Sequence, residues 1–134
     1  MTSASFLLDT NIVSDLAHRP NGPVFEHIAE VGEDNVAISV VVACEIRFGL
    51  VKRGSRRLTR RMNLILDQLT VLPLEPPVED HYADIRLGLE RAGTPIGPND
   101  LLIAAHARAL EMTVVTANAA EFSRVPDLRV VDWT

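Results

Sequence analysis

The chain alternates short, continuously apolar runs with longer stretches in which apolar residues recur every three or four positions. The runs at Phe6–Leu8, 36–38 and Thr113–Val115 predict short strands that are buried on both faces. Two further apolar runs predict strands at Thr70–Leu72 and 129–131. Because these segments are spread over the whole chain, the predicted sheet is assembled from distant parts of the sequence.

The stretches between the strands predict helices with recognisable ends. Thr10 or Asn11 can cap the first helix, and Ser39 can cap the third. Pro98 suits the first turn of the last helix, because the N–H that proline lacks has no partner there. The predicted helices cover residues 10 to about 18, 24–31, 40–53, 56–69, 76–91 and 98 to about 111.

Strands that alternate with helices predict an α/β fold, in which a parallel sheet is covered by helices on both faces. In such sheets the functional site lies beyond the carboxyl ends of the strands. Asp9 directly follows the first predicted strand, and Thr116 directly follows the fourth. We therefore expect these two residues to lie at the same edge of the sheet.

Composition indicates a single domain over residues 1–134. Of these residues 47% are hydrophobic, which is enough for one core. No apolar run is long enough to cross a membrane, and the first residues lack the basic start of a signal peptide, which indicates a cytoplasmic protein. The only cysteine, Cys44, excludes an internal disulfide, and its apolar neighbours predict a position in the core.

Charge is unevenly distributed along the chain. The formal net charge is −5, but residues 52–61 contain six cations and no acid. The remaining 7 of the 13 cations stand against 18 acids, a balance of −11. The basic segment is either a solvated helix face or a ridge that contacts RNA phosphates beside an acidic site. It could also face a partner protein or a second subunit, and its candidate RNA contacts are Arg56, Arg57, Arg60 and Arg61.

Three acids lie in apolar surroundings, without a cation at the local positions where one would be needed. Asp9 ends a strand, Glu45 lies within an apolar helix, and Asp100 begins another apolar helix. Unpaired carboxylates near a core are unfavourable, so convergence on one divalent cation would explain all three. Oxygen ligands without His or Cys at ligand spacing favour Mg²⁺ or Mn²⁺ over zinc, as at a phosphodiesterase site. His106 follows Asp100 by nearly two turns, which suits a core or surface imidazole better than a ligand.

Each candidate also has a structural interpretation. Asp9 could cap the following helix, Glu45 could be a hydrogen-bonded core acid, and Asp100 could interact favourably with its helix dipole. Asn118 and Glu121 match the pattern of a helix capping box. The other candidates either orient the acids or have ordinary capping and strand-end roles: Thr10, Asn11 and Thr116.

Four stretches carry a resemblance to a known family: LLDTNIVSDL, ISVVVACEIRFGL, GTPIGPNDLLIAAHARAL and VVTANAAEFSRVPDLRVVDW. In this order and spacing they resemble the PIN-domain ribonucleases, in particular the VapC toxins of type II toxin–antitoxin pairs. The resemblance runs from about Ser5 to Trp133. It implies a three-layer sandwich around a mainly parallel sheet of about four or five strands, with Asp9, Glu45 and Asp100 as the metal-binding acids.

The same resemblance implies an activity and partners. Such proteins use Mg²⁺ or Mn²⁺ to cleave RNA, such as tRNA, and so inhibit translation and growth. It also implies a homodimer and a cognate VapB-type antitoxin, which blocks the site and can recruit the toxin into a larger assembly on operator DNA. Many PIN domains have a fourth acid where this chain has Asn118, whose oxygen is uncharged. Glu121, one helical turn further on, could supply the missing carboxylate.

Three other functions fit parts of the pattern. A dehalogenase-like phosphatase needs a second Asp where this chain has Asn11. A receiver domain needs an acid pair and a lysine that are absent from the expected places. A PIN scaffold that binds RNA or a protein without cleaving is favoured only by Asn118. A comparison of RNA binding with RNA cleavage during a Mg²⁺ titration separates this scaffold from a nuclease.

Overall fold

Five short apolar segments form the sheet at the centre of the fold, which is seen in a computed structural model describing residues 4–134. The strands are β1 Phe6–Leu8, β2 Val36–Ser39, β3 Thr70–Leu72, β4 Thr113–Val115 and β5 Val130–Val131. They are all parallel and lie in the order β3-β2-β1-β4-β5. All four residues of β2 are buried. Because successive side chains of a strand point to opposite faces, both faces of the sheet are covered.

Helices connect the strands and cover the sheet, which confirms the predicted three-layer α/β fold. Within residues 4–134 they are α1 Thr10–His18, α2 Pro23–Val31, α3 Val40–Arg53, α4 Arg56–Leu66, α5 Val78–Arg91, α6 Pro98–Ala109 and α7 Ala119–Phe122. The predicted helices do not include α7, although the capping-box pattern of Asn118 and Glu121 marks its start, and they do not include the short 3-10 turn at Glu33–Asn35. Over residues 4–134, no helix combines the length and the apolar character needed to cross a bilayer.

Three helix ends differ from the sequence prediction. α4 ends at Leu66 because the N–H groups of Gln68 and Leu69 donate to carbonyls three residues back and tighten the chain into a turn. α5 begins at Val78 rather than at residue 76, since a residue that precedes a proline avoids helical backbone. α6 ends at Ala109, and Glu111 lies beyond it with a left-handed φ of 56°.

Two predictions about individual residues are wrong. The cap of α1 is Asp9, rather than Thr10 or Asn11, because the Asp9 carboxylate accepts the first free N–H of the helix. Cys44 is exposed, contrary to the core position expected for it. α3 has apolar residues on two sides, and the side that it buries carries Val41, Val42, Ile46 and Leu50.

The strand order creates a crevice at the centre of the sheet. Successive connections lead outward from β1 to β2 and β3 on one side, and from β4 to β5 on the other. In parallel sheets, binding sites form at the carboxyl ends of strands where the connections diverge in this way. Asp9 and Thr116 meet at that point, with the Thr116 hydroxyl 2.8 Å from Asp9 Oδ2, as the sequence predicts.

Candidate active site

Asp9 is buried at the end of β1, with 3% of its surface exposed. Its Oδ1 accepts a hydrogen bond from the Thr10 backbone N at 2.8 Å. Its Oδ2 accepts from the Thr116 hydroxyl at 2.8 Å and from the Asn11 amide at 3.3 Å. Burial raises the pKa of Asp9, and the charge of Glu45 adds to the rise, whereas these hydrogen bonds oppose it. Asp9 therefore caps α1 and lies in the crevice in one fixed orientation.

Glu45 reaches the crevice from α3 and is half-buried. The Thr10 hydroxyl donates to its Oε1 at 2.6 Å, and the Asn99 amide donates to its Oε2 at 3.3 Å. Thr10 follows Asp9 directly in the chain. The hydroxyl of Thr10 therefore holds the Glu45 carboxylate close to the Asp9 carboxylate.

Asp100 lies in the first turn of α6 and is also half-buried. Its pKa is raised to about 7, mainly by burial, and then by the negative charges of Asp9, Glu121 and Glu45. Hydrogen bonding to Glu121 contributes to the same rise in the Asp100 pKa. Because like charges raise a carboxyl pKa in this way only at short range, the four acids share one small volume.

Glu121 joins this cluster from α7. Its Oε1 accepts a hydrogen bond from the Gly97 backbone N at 3.2 Å, in the loop before α6. The capping box that the sequence suggests is not formed, because Glu121 points toward that loop and Asn118 makes no side-chain capping bond. The Asn118 side chain is exposed, and its backbone N donates to the Thr116 hydroxyl at 3.0 Å.

Asn11 and Thr116 join the loops that follow β1 and β4. Asn11 donates to Asp9 through its amide nitrogen, while its Oδ1 accepts from the Ala117 backbone N at 3.0 Å. Thr116 donates to Asp9 and accepts from the backbone of the next loop. Both side chains therefore orient Asp9 and fix the two sides of the crevice relative to each other.

The cluster of Asp9, Glu45, Asp100 and Glu121 carries negative charge without a balancing cation. None of these acids forms a salt bridge within residues 4–134. In the same part of the chain, no three Asp, Glu, His or Cys side chains are already arranged to hold a metal ion. The acids nevertheless fit a hard divalent cation, which proteins hold through a few carboxylates together with water and substrate oxygens. The mutual repulsion that raises the Asp100 pKa supports this fit.

The predicted RNA-contacting arginines lie on α4, outside the carboxylate cluster. Arg56, Arg57, Arg60 and Arg61 are all exposed. Arg61 also donates from Nη1 to the Ala17 carbonyl oxygen, 3.0 Å away in the last turn of α1. A cation at a helix C-terminus is favourable for the helix dipole, so Arg61 has a structural role that the sequence does not reveal.

Two contributors to the cluster have no role predicted from the sequence, although both lie in one of the stretches that resemble the family. They are the Asn99 side chain, which contacts Glu45, and the Gly97 backbone N–H, which contacts Glu121. Both belong to the Gly97–Pro98–Asn99 segment directly before Asp100. Their position next to a candidate ligand is the signal by which they can be found.

Comparison with known proteins identifies the family. The family model described as "PIN domain" matches residues 6–128. The chain is 32% identical over 130 residues to Ribonuclease VapC2 of Rickettsia felis, covering 96% of this chain and 97% of the relative. It is 34% identical over 133 residues to the tRNA(fMet)-specific endonuclease VapC of Salmonella typhimurium, again covering 96% and 97%.

Solved structures give the same result. The crystal structure of VapBC2 from Rickettsia felis, bound to a promoter DNA fragment, matches with a TM-score of 0.87 at 31% identity, covering 96% of this chain and 98% of the other. DNA-bound VapBC from Salmonella typhimurium matches with a TM-score of 0.86 at 31% identity, covering 98% and 99%. The chain therefore belongs to the PIN-domain family, among the VapC ribonucleases.

Proposed function

We propose that this chain is a VapC-type toxin, an endoribonuclease that hydrolyses phosphodiester bonds in tRNA or another structured RNA and thereby inhibits translation and growth. The observation that carries the proposal is the cluster of four carboxylates without a cation, at the crevice between β1 and β4. The tRNA(fMet)-specific relative supports tRNA as the first substrate class to test. Such a substrate places the activity in the cytoplasm, with residues 1–134 acting as one PIN domain.

In this proposal Asp9, Glu45 and Asp100 hold Mg²⁺ or Mn²⁺. When bound, such a cation supplies a Lewis acid that activates water and offsets the charge on the scissile phosphate. The chain itself contributes fixed geometry, since three hydrogen-bond donors orient Asp9 and two orient Glu45. Preoriented ligands of this kind do not need to reorganise when charge develops at the phosphate.

The fourth ligand position has two candidates. Glu121 supplies a carboxylate bonded to the loop directly before α6, and we assign it to complete the site directly or through a water. Asn118 offers only an uncharged amide oxygen from an exposed side chain. The charge required by a divalent cation favours Glu121.

RNA binding is assigned to the exposed face of α4. Arg56, Arg57 and Arg60 present three cations there, and a chain of net charge −5 otherwise repels a polyanion. Contacts from these side chains to backbone phosphates would position the RNA without reading its sequence.

A cognate antitoxin is the proposed protein partner, and the similarity to DNA-bound VapBC structures supports an assembly on operator DNA through that antitoxin. The chain offers a groove of about 400 Å³ between α1, α2 and α4, lined mostly by apolar side chains. Phe25 is 47% exposed and Leu64 is 71% exposed in this groove. An antitoxin segment with an apolar face would bury both side chains. We also assign a homodimer to the free toxin.

The decisive experiment is cleavage of a labelled total-tRNA pool by the purified, antitoxin-free protein with Mg²⁺, with Mn²⁺ and with EDTA. Asp9→Asn is the test variant, because asparagine keeps the oxygen that caps α1 while removing the charge. Asp84→Asn is the matched control, because Asp84 forms a salt bridge with Arg108 and does not belong to the cluster. We expect discrete products that require a metal, persist in Asp84→Asn and vanish in Asp9→Asn.

A non-cleaving scaffold is the remaining alternative. It is favoured by Asn118 and by the open arrangement of the acids in residues 4–134. RNA that stays intact in every lane, tested with tRNA and then with ribosomal and messenger RNA, while the folded protein still binds RNA, would replace the nuclease with that scaffold.

A further inference from the structure

A buried polar contact joins α3 to α6, nearly two helical turns from the acids that these helices contribute to the cluster. Ser39, directly before α3, has no exposed surface, and His106 on α6 is 1% exposed. The Ser39 hydroxyl lies 2.8 Å from His106 Nδ1 and also accepts a hydrogen bond from the Val41 backbone N at 3.1 Å. The same hydroxyl therefore caps α3 and connects it to α6.

A second contact joins the same two helices. It is the hydrogen bond from the Asn99 amide to Glu45 Oε2 at 3.3 Å. Glu45 follows Ser39 on α3, whereas Asn99 precedes His106 on α6, so the helices run in opposite directions between the two contacts. At 1.5 Å per residue, the contacts are roughly 10 Å apart. Two hydrogen bonds at this separation fix both the rotation and the sliding of α3 against α6.

Stability alone does not account for the buried pair. Burial of a hydroxyl and an imidazole requires that both be desolvated, and this burial lowers the pKa of His106, although a backbone hydrogen bond at Pro73 opposes the shift. Two apolar side chains would fill the same space without this cost. A polar contact in an apolar core does, however, select one arrangement, because sliding of either helix breaks it.

We propose that Ser39 and His106 are a positioning pair, which sets the register of α3 against α6 and thereby the spacing of Glu45 and Asp100. The inference rests on the proposed function, since it concerns the carboxylates assigned to the cation. Neither side chain touches the cation or the RNA. Their effect is transmitted through the helices that carry the two acids.

The test is the Mn²⁺ affinity of the folded protein, measured by titration calorimetry. Ser39→Ala and His106→Leu should each bind Mn²⁺ about tenfold more weakly, the scale on which supporting hydrogen bonds tune metal sites. Ser39→Thr keeps the hydroxyl and the cap, and should bind like the parent. Single-site RNA cleavage should show the same order in kcat, with an unchanged KM for RNA.

The double variant Ser39→Ala/His106→Leu separates positioning from stability. It removes the imidazole that Ser39→Ala leaves without the serine hydroxyl, so we expect it to recover thermal stability relative to Ser39→Ala, although the cap of α3 stays lost, while its Mn²⁺ affinity stays low. It also keeps the test available if one of the single variants does not fold. Ile103→Val is the matched control, because it removes a buried group from α6 without touching the pair, and should lower stability but not affinity.

The outcomes distinguish this inference from the proposed function. A parent that neither binds Mn²⁺ nor cleaves RNA overturns both. Parental affinity and kcat in folded Ser39→Ala and His106→Leu overturn the positioning role alone. Recovery of parental affinity in the double variant also overturns it, since apolar packing would then be sufficient to set the spacing.

Discussion

Acidic side chains have opposite surroundings at the two edges of the sheet, where the strands end (the carboxyl edge) and where they begin (the amino edge). At the carboxyl edge, Asp9, Glu45 and Asp100 lie together, and none of them forms a salt bridge in the described chain. At the amino edge, Arg108 donates to Asp84 Oδ2 at 2.7 Å. The Arg108 guanidinium also donates to His81 Nδ1 at 2.9 Å and to a backbone carbonyl at 3.3 Å.

Composition does not distinguish these edges, because both contain several acids. The difference lies in what surrounds each carboxylate. An acid with a cation beside it is balanced within the fold, whereas the clustered acids, whose charges raise the pKa of Asp9 and Asp100, destabilise the folded protein until a cation arrives. This contrast indicates which edge binds a ligand and which edge holds the structure together.

The largest expected effect is on RNA cleavage, which should depend on an acid at the carboxyl edge and not on one at the amino edge. Asp100→Asn should lower the rate of RNA cleavage by on the order of 10³-fold, the scale seen when charge stabilisation is removed from a transition state. Asp84→Asn removes the same charge at the other edge and should leave the rate unchanged. Single-turnover cleavage of a labelled RNA in Mg²⁺ measures both.

Folding of each variant is checked by thermal melting. Asp84 is 72% exposed, so loss of its salt bridge should change stability by less than about 1 kcal/mol. If Asp100→Asn cleaved RNA at the parental rate, Asp100 would not be part of the active site, and the two edges would not differ in activity.

At the amino edge we expect the reverse result: a substitution should lower the stability of the fold and leave the activity unchanged. Arg108→Ala should lower the free energy of unfolding by about 2 kcal/mol, because the side chain is only 11% exposed and its loss leaves hydrogen-bond acceptors unpaired. The site is intact in this variant, so the kcat of the folded fraction should not change. Urea unfolding measures the difference. Arg86→Ala, which breaks an exposed Arg86–Glu90 pair, is the control and should cost much less.

Protonation should stabilise the carboxyl edge of the metal-free protein. The Asp100 pKa of about 7 lies above the ordinary value of 3.8, so the folded state binds this proton more tightly than the unfolded state. The resulting stability is present at low pH and is lost as the pH rises through 7. In EDTA we expect a higher Tm at about pH 5.5 than at about pH 8.

The matched variant isolates this effect. Asp100→Asn cannot ionise, so its Tm should fall less between the same two pH values, and at the higher pH the variant should be more stable than the metal-free parent. An identical pH dependence in parent and variant would show that Asp100 is not destabilised by the cluster.

The sheet and the three central acids are predictable from sequence for a local reason. Continuous apolar runs define the strands, and an acid directly after such a run, like Asp9, must lie at a strand end. Isolated acids in apolar helices, like Glu45 and Asp100, are similarly visible without tertiary information. Their catalytic and metal-binding roles remain predictions until the variants are measured.

The remaining features depend on contacts between distant segments. The bonds from Asn99 to Glu45 and from Gly97 to Glu121 exist only because α6 packs beside α3 and α7. Cys44 is exposed because α3 is apolar on two sides, and the sequence does not show which side faces the sheet. The bond from Arg61 to α1 is equally invisible, since its acceptor is a backbone carbonyl.

The smallest expected effect concerns the exposed arginines of α4. Arg56→Ala/Arg60→Ala should weaken RNA binding and reduce the slope of log affinity against log salt by between about 1 and 2, because each lost phosphate contact removes somewhat less than one released counterion. Arg86→Ala/Arg91→Ala changes the net charge equally on α5 and should leave the slope near the parental value. Equal slopes in both double variants would show that α4 contributes only general charge. The ridge would then be assigned to a protein partner, and the carboxyl edge alone would define how this chain engages RNA.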